Sequence, residues 1–283
     1  MTMSAAAKAA VRTGRGASLP STGRIGLART GIELKGFFRE KQAVVFVFSM
    51  PAILLVLLGS IFRGEALSHG VSVGELFAAG LIGGGIMSTS FQYLGIAIAT
   101  ERDRGLLKRL RGTPMPGTAY FIGKTGLVLV STVAETVILV VVGMLVDHLH
   151  LPASAGRWWT LVWVFALGTI ACALLGIAAS SIPRSARSAT AVITLPFTVL
   201  QFISGVYVPF TFVPPWLRAV AAFFPLKWIC QGLRSVFLPA QAAALEPAHS
   251  WEHGRIALVL TAWIVAGLVL CLTTFRWQRR RDG

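Results

Sequence analysis

Long apolar runs alternate with short polar breaks along most of the chain. Five runs are of spanning length and carry almost no charge: Ala43–Phe62, Leu76–Ala99, Trp158–Ser181, Ala189–Val208 and Ile256–Phe275. A helix needs roughly 20 mostly apolar residues to cross a bilayer, so each run predicts a transmembrane helix. A sixth run, Ala119–Val146, is long enough but is interrupted by Lys124 and Glu135. Val213–Leu238 is also apolar, yet Pro214, Pro215 and Pro225 break it and it holds three basic residues. It predicts two short helices that dip into the membrane without crossing, because non-helical backbone at that depth needs cover from protein or water. The expected fold is an all-α integral membrane domain over residues 43–276. It has six spans, a re-entrant hairpin at 213–238 between spans five and six, and an interfacial helix before the first span.

Composition agrees with this pattern. Of the 283 residues, 55% are hydrophobic and 13% charged, with a mean hydropathy of +0.72. Soluble domains carry about 25% charged residues, which argues against a soluble enzyme. Cys172, Cys230 and Cys271 are odd in number and lie in apolar stretches, so no disulfide framework is expected. The net charge of +15 could suggest a nucleic-acid partner. With the N-terminus placed in the cytoplasm, however, 20 of the 26 Lys and Arg residues fall on that side, and the opposite side sums to zero. This is the positive-inside pattern. It accounts for the basicity without nucleic acid and puts both termini in the cytoplasm of a multi-pass protein. Residues 1–20 read as a disordered basic tail with no secretory signal, and 277–283 as a second basic tail.

Residues 21–41 read as an amphipathic surface helix. Leu27, Gly31, Leu34 and Phe38 share one stripe, with Arg24, Lys35 and Arg39 away from it. Such a helix would lie at the inner lipid interface with its bases near anionic headgroups, or serve only as a basic flank that sets orientation. In the loop Thr100–Gly117, Thr100 and Asp103 have the spacing of a capping box. Leu106, Leu107 and Leu110 share a face opposite Lys108, Arg109 and Arg111, and Thr113–Gly117 ends the helix. Exposed leucines on a short charged helix suit docking into a partner's groove; a helix resting on lipid reads equally well. After Pro225, Leu226, Ile229, Cys230, Leu233 and Phe237 form an apolar face. Lys227, Gln231 and Arg234 form a polar one, which faces an outer vestibule or snorkels to the interface.

Glu135 lies near the middle of the third span, where a lone ionisable group is costly and must face protein or water. It is a candidate substrate-contacting or coupling residue, or one end of an interhelical hydrogen bond. Gln92, Gln201 and Ser204 are further candidates for a substrate pathway. Gly80, Gly84 and Ser88 form a row of small residues suited to close helix packing. Gly117, Gly123, Lys124 and Thr125 miss the spacing of a phosphate-binding loop. His148 and His150, beside Asp147 alone, make a poor metal site, so none is expected. No nucleophile–base constellation is visible, and clustered groups for an intramembrane enzyme are absent.

Two stretches carry a resemblance. TERDRGLLKRLRGTPMPGTAYFIGK (Thr100–Lys124) is similar to the cytoplasmic loop of ABC-type-2 permeases, the family of drug-resistance and polysaccharide exporters that includes daunorubicin-type efflux permeases. SGVYVPFTFVPPWLRAVAAFFPLKWICQGLR (Ser204–Arg234) resembles that family's outer segment, with Trp216, Lys227, Gln231 and Arg234 on its short helices. The order of features matches over about residues 24 to 276. The resemblance implies that Glu101–Arg111 is a coupling helix resting on a separate soluble P-loop ATPase. Glu101, Arg104, Gly105, Leu106, Leu107, Lys108, Arg109 and Leu110 would make that contact. It also implies two copies of the chain with two ATPase subunits, in a bacterial plasma membrane, exporting an amphipathic drug, antibiotic or lipid-like molecule. ATP and Mg would bind the partner, with no cofactor and no catalysis on this chain. A polysaccharide or glycolipid cargo is the alternative within the class. An ATP-independent secondary transporter using Glu135 is the alternative outside it, although no inverted repeat supports it.

Overall fold

In the computed structural model, the structure describes residues 21–275 except 63, 65, 68–70 and 148. The tails at 1–20 and 277–283, and His69 and His148, lie outside the described residues. Helix α1 is Thr22–Arg39 and α2 is Lys41–Ile61. A two-residue hairpin, β1 Ala66–Leu67 with β2 Val71–Ser72, leads into α3, Val73–Met87. A π-helical turn, Ser88–Tyr93, joins α3 to α4, Leu94–Asp103. Then come α5, Leu106–Arg111, α6, Gly117–Val146, α7, Ala155–Ala179, and α8, Ala186–Ile203. The short helices α9, Pro215–Phe223, and α10, Pro225–Phe237, precede α11, His253–Thr274. Among the described residues, six helical segments are long and apolar enough to cross a membrane: those of α2, α3–α4, α6, α7, α8 and α11. At 9 and 13 residues, α9 and α10 are too short to cross.

Three of the spans begin earlier than hydropathy predicts, where serine caps start them. Ser72 and Glu75 form a reciprocal capping box on α3, Ser154 caps α7, and Ser185 with Ser188 caps α8. These side chains satisfy amides that the first helical turn cannot. The predicted capping box at Thr100 is not formed. Helix α4 runs through that residue to Asp103, and the chain turns at Gly105, which adopts a left-handed conformation with φ 72°. The fifth span stops at Ile203 instead of reaching Val208, because Gly205 with φ 85° turns the chain out of the helix.

Helix α3 is the centre of the bundle, with every residue but Glu75 buried. Its glycines admit a different neighbour on each side. A Cβ on Gly80 would lie 2.8 Å from the Val206 carbonyl oxygen, and one on Gly83 2.8 Å from Cys230 Sγ of α10. One on Gly85 would lie 2.8 Å from Glu135 Oε1. The small-residue row therefore serves packing. Gly80→Val is expected to lower stability by about 1–3 kcal/mol, read as a lower unfolding temperature in detergent, because backbone oxygen cannot move aside as a side chain can. Helix α10 is wedged between α3 and α7: Ile229 meets Gly168, and Gly232 meets Val164. At the margin, only Leu55 and Gly59 are buried among the described side chains of α2.

Helix α1 packs along the start of α6. Gly26 meets Ile122, Gly123 meets Arg29, and Gly126 meets Thr30, whose hydroxyl donates to Gly26 O. The apolar stripe predicted for α1 points elsewhere: Leu27 is 71% and Phe38 49% exposed. The protein-facing side is instead Gly26, Arg29, Thr30, Glu33 and Phe37.

Candidate functional site

The helix singled out by its sequence, α5, sits at the basic end of the bundle between two chain reversals. Gly105 makes the first. Thr113, whose hydroxyl donates to Leu110 O at 2.6 Å, and Pro114–Pro116 make the second. The leucine face is not open for docking. Leu107 is fully buried against Leu94, Ile98, Tyr120, Val128, Ala173 and Ile177, and Leu110 packs on the same cluster. Leu106 is half-buried. Helical spacing shows which residues share a face but not where it points, and the nearest apolar surface here belongs to the chain's own spans. The exposed side of the segment is Arg104, Lys108, Arg109 and Arg111, so it offers a partner positive charge.

Just before α5, three consecutive side chains reach three places. The Glu101 carboxylate pairs with Lys124 and accepts a hydrogen bond from Tyr120 Oη at 2.8 Å. Lys124 Nζ also lies 2.8 Å from Glu33 Oε2, and Arg29 pairs with Glu33 at 2.6 Å. Arg29, Glu33, Lys124 and Glu101 thus alternate in sign and sum to zero. The Lys124 side chain is 2% exposed, and a cation so buried needs such partners. Arg102 donates to Ser180 O and to Pro183 O, the latter at 3.3 Å. Asp103 Oδ2 accepts from the Ala186 amide at 2.9 Å, satisfying a first-turn donor of α8. Glu101 was expected to touch a partner protein; its carboxylate instead faces inward. Sequence reading missed Glu33, Arg102 and Tyr120, and gave Asp103 to a capping box instead of to α8. The available signal was Lys124 itself, an ionisable residue inside an apolar run whose partner has to be sought.

The four candidate pathway residues do not converge. Glu135 is buried, with Oε2 accepting from Thr89 Oγ1 of the π turn at 2.6 Å and Oε1 without a hydrogen-bond partner among the described residues. Gln92 donates to Thr194 of α8 at 2.9 Å. Gln201 accepts from Tyr207 Oη, and Ser204 is buried beside the Gly205 turn. No hydrogen bond joins any two of the four among the described residues.

At the opposite end, the polar stripe of α10 neither lines an open vestibule nor snorkels. Residues 240–252 fold over it. Arg234 Nε pairs with Glu246 at 2.6 Å, and its Nη1 donates to Gly205 O at 3.2 Å. Gln231 accepts from Lys227 and donates to the Ser250 and Trp251 carbonyls. The Lys227 ammonium lies 3.5 Å from the centre of the Trp228 ring. Burial pushes its pKa down to about 8, against the pull of Glu246 and Glu252. Trp216 on α9 is exposed.

Comparison with known proteins adds an independent finding. A family model described as ABC-2 type transporter matches residues 28–238, which takes in α5 and all of its ionic connections. The candidate transport permease ycf38 of Porphyra purpurea is 25% identical over 227 residues, covering 78% of this chain and 76% of that protein. The protein of the same name from Pyropia yezoensis is 24% identical over 207 residues, covering 71% and 69%.

Proposed function

The chain belongs to the ABC-2 type transporter family, and from that premise we propose that it is the membrane-spanning permease subunit of an ATP-driven exporter. As a multi-pass permease it supplies the path through the membrane. A separate soluble P-loop ATPase, binding ATP and Mg, supplies the energy. The functional unit is two copies of the chain with two ATPase subunits. It lies in a bacterial plasma membrane with both termini cytoplasmic, on the side where the sequence gathers its positive charge. The proposed cargo is an amphipathic drug, antibiotic or lipid-like molecule. The observation that carries this reading is α5, a short basic helix on the basic end whose root is tied to several spans.

Closure of the ATPase pair would move α5, and the spans would shift from one packing to another. Cargo is driven only if the two packings bind it differently. The basic face Arg104, Lys108, Arg109 and Arg111 is the proposed contact, with Leu107 and Leu110 holding the helix to its own bundle. Purification of the chain in mild detergent from its native membrane is expected to recover a stoichiometric P-loop ATPase that hydrolyses ATP. Lys108→Glu with Arg109→Glu is expected to lose that partner while the chain stays folded, since both side chains are exposed. Recovery of the chain alone, under conditions that preserve other membrane complexes, would overturn the proposal.

A further inference from the structure

The tripeptide Glu101-Arg102-Asp103 joins α5 to the rest of the chain on two sides. On one side the connection runs through side chains: Glu101 to Lys124 of α6, and Lys124 to Glu33 of α1. On the other it reaches main chain. Arg102 grips the carbonyls of Ser180 and Pro183 where α7 ends, and Asp103 holds the amide of Ala186 where α8 begins. Charge-assisted hydrogen bonds are short and directional, so movement of the tripeptide is felt by each neighbour separately. Between it and α5 stands only the left-handed turn at Gly105.

We propose that Glu101, Arg102 and Asp103 are positioning residues that divide a displacement of α5 into two branches. One passes through Lys124 and Glu33 to α1, and the other through backbone to the α7–α8 turn. This inference rests on reading α5 as the coupling helix. It predicts that α1 and α8 answer the ATPase independently, so that one response can be removed without the other.

The test uses the full complex with its ATPase in lipid nanodiscs. Spin labels at Ala153→Cys with Lys35→Cys report α1, and labels at Ala153→Cys with Arg187→Cys report α8; all three positions are exposed, and Ala153, in the turn before α7 at the opposite end of the bundle, is the reference that does not ride on α5. Labelling of the unsubstituted chain gives the background from Cys172, Cys230 and Cys271. Distances are measured by electron double resonance with and without a non-hydrolysable ATP analogue. In the parent chain both distances are expected to shift on nucleotide binding. Glu33→Ala leaves Lys124 paired with Glu101 and is expected to abolish the α1 shift while sparing that of α8. Asp103→Ala is expected to cut the α8 shift by about half or more while sparing that of α1. Glu33→Gln and Asp103→Asn keep an acceptor oxygen and are expected to retain both shifts, an outcome that mere loss of packing does not produce. If the parent shifts but both alanine variants shift like it, or each loses both shifts together, the division is wrong and the coupling reading stands. If no ATPase is recovered, or the parent does not respond to nucleotide, both readings fall.

Discussion

Lys124→Met is expected to destabilise the chain by about 3 kcal/mol, the lower end of the cost of removing one partner from a buried ion pair. The substitution keeps the volume and apolar stem of the lysine, so the loss is electrostatic. Glu33 retains Arg29 and Glu101 retains Tyr120, which holds the cost to the lower end. What remains is two carboxylates facing the place where the ammonium stood, with side chains 9% and 19% exposed. The measurement is unfolding temperature in detergent, followed by loss of the monodisperse peak in size exclusion. Adding Glu101→Gln to Lys124→Met is expected to recover most of the loss, because Arg29 and Glu33 then remain as one balanced pair and no buried charge is left without a partner. A single substitution costing less than about 1 kcal/mol would place these groups in water-like surroundings.

At the opposite end, Arg234→Met is expected to cost more, about 3–5 kcal/mol. Arg234 and Glu246 are each 3% exposed, and the guanidinium also satisfies the Gly205 carbonyl. Its removal leaves a charge and a carbonyl buried together. The damage should be local first: amide exchange across residues 240–252 is expected to accelerate before the spans unfold, because Arg234 is one of the fastenings of that segment. Pairing Arg234→Met with Glu246→Leu should be milder than either change alone, since no buried charge is then left without its partner. A double variant as unstable as the sum of the singles would show that the pair is not coupled.

The six spans were legible because bilayer thickness imposes a length that composition alone reveals. Their ends were less so. Hydropathy marks the apolar middle, while the helices begin at Ser72, Ser154 and Ser185, polar residues that a hydropathy window discounts. The segment at Thr100 failed for a related reason: its spacing satisfies a capping box, but an already formed helix running through it leaves no free amides to cap. Helical periodicity grouped Leu106, Leu107 and Leu110 correctly, as it did Leu27, Leu34 and Phe38. It could not tell that the first group turns inward and that Leu27 and Phe38 of the second stay exposed. The candidate site was legible as a location and not as a network. Lys124 finds its carboxylates 91 and 23 residues away, and no local pattern encodes such a meeting. The charge tally over the two faces treated Lys124 as one more base beside the membrane. In the fold it is neutralised by Glu33 and Glu101, and it acts as a fastening instead of an orienting charge.

The seat of α1 on α6 has a consequence for how the chain is made. Arg29, Thr30 and Glu33 are synthesised long before residues 122–126, which receive them. While the first two spans enter the bilayer, Phe37 has Phe48 and Tyr93 to meet, but the surface of α6 that receives Gly26, Arg29, Thr30 and Glu33 does not yet exist, and Glu33 has Arg29 one turn away as its ionic partner. Those two spans are therefore made before α1 can take its seat on α6. The face of Gly26, Arg29, Thr30 and Glu33 docks only once the third span arrives, while Leu27 and Phe38 stay exposed even in the finished fold.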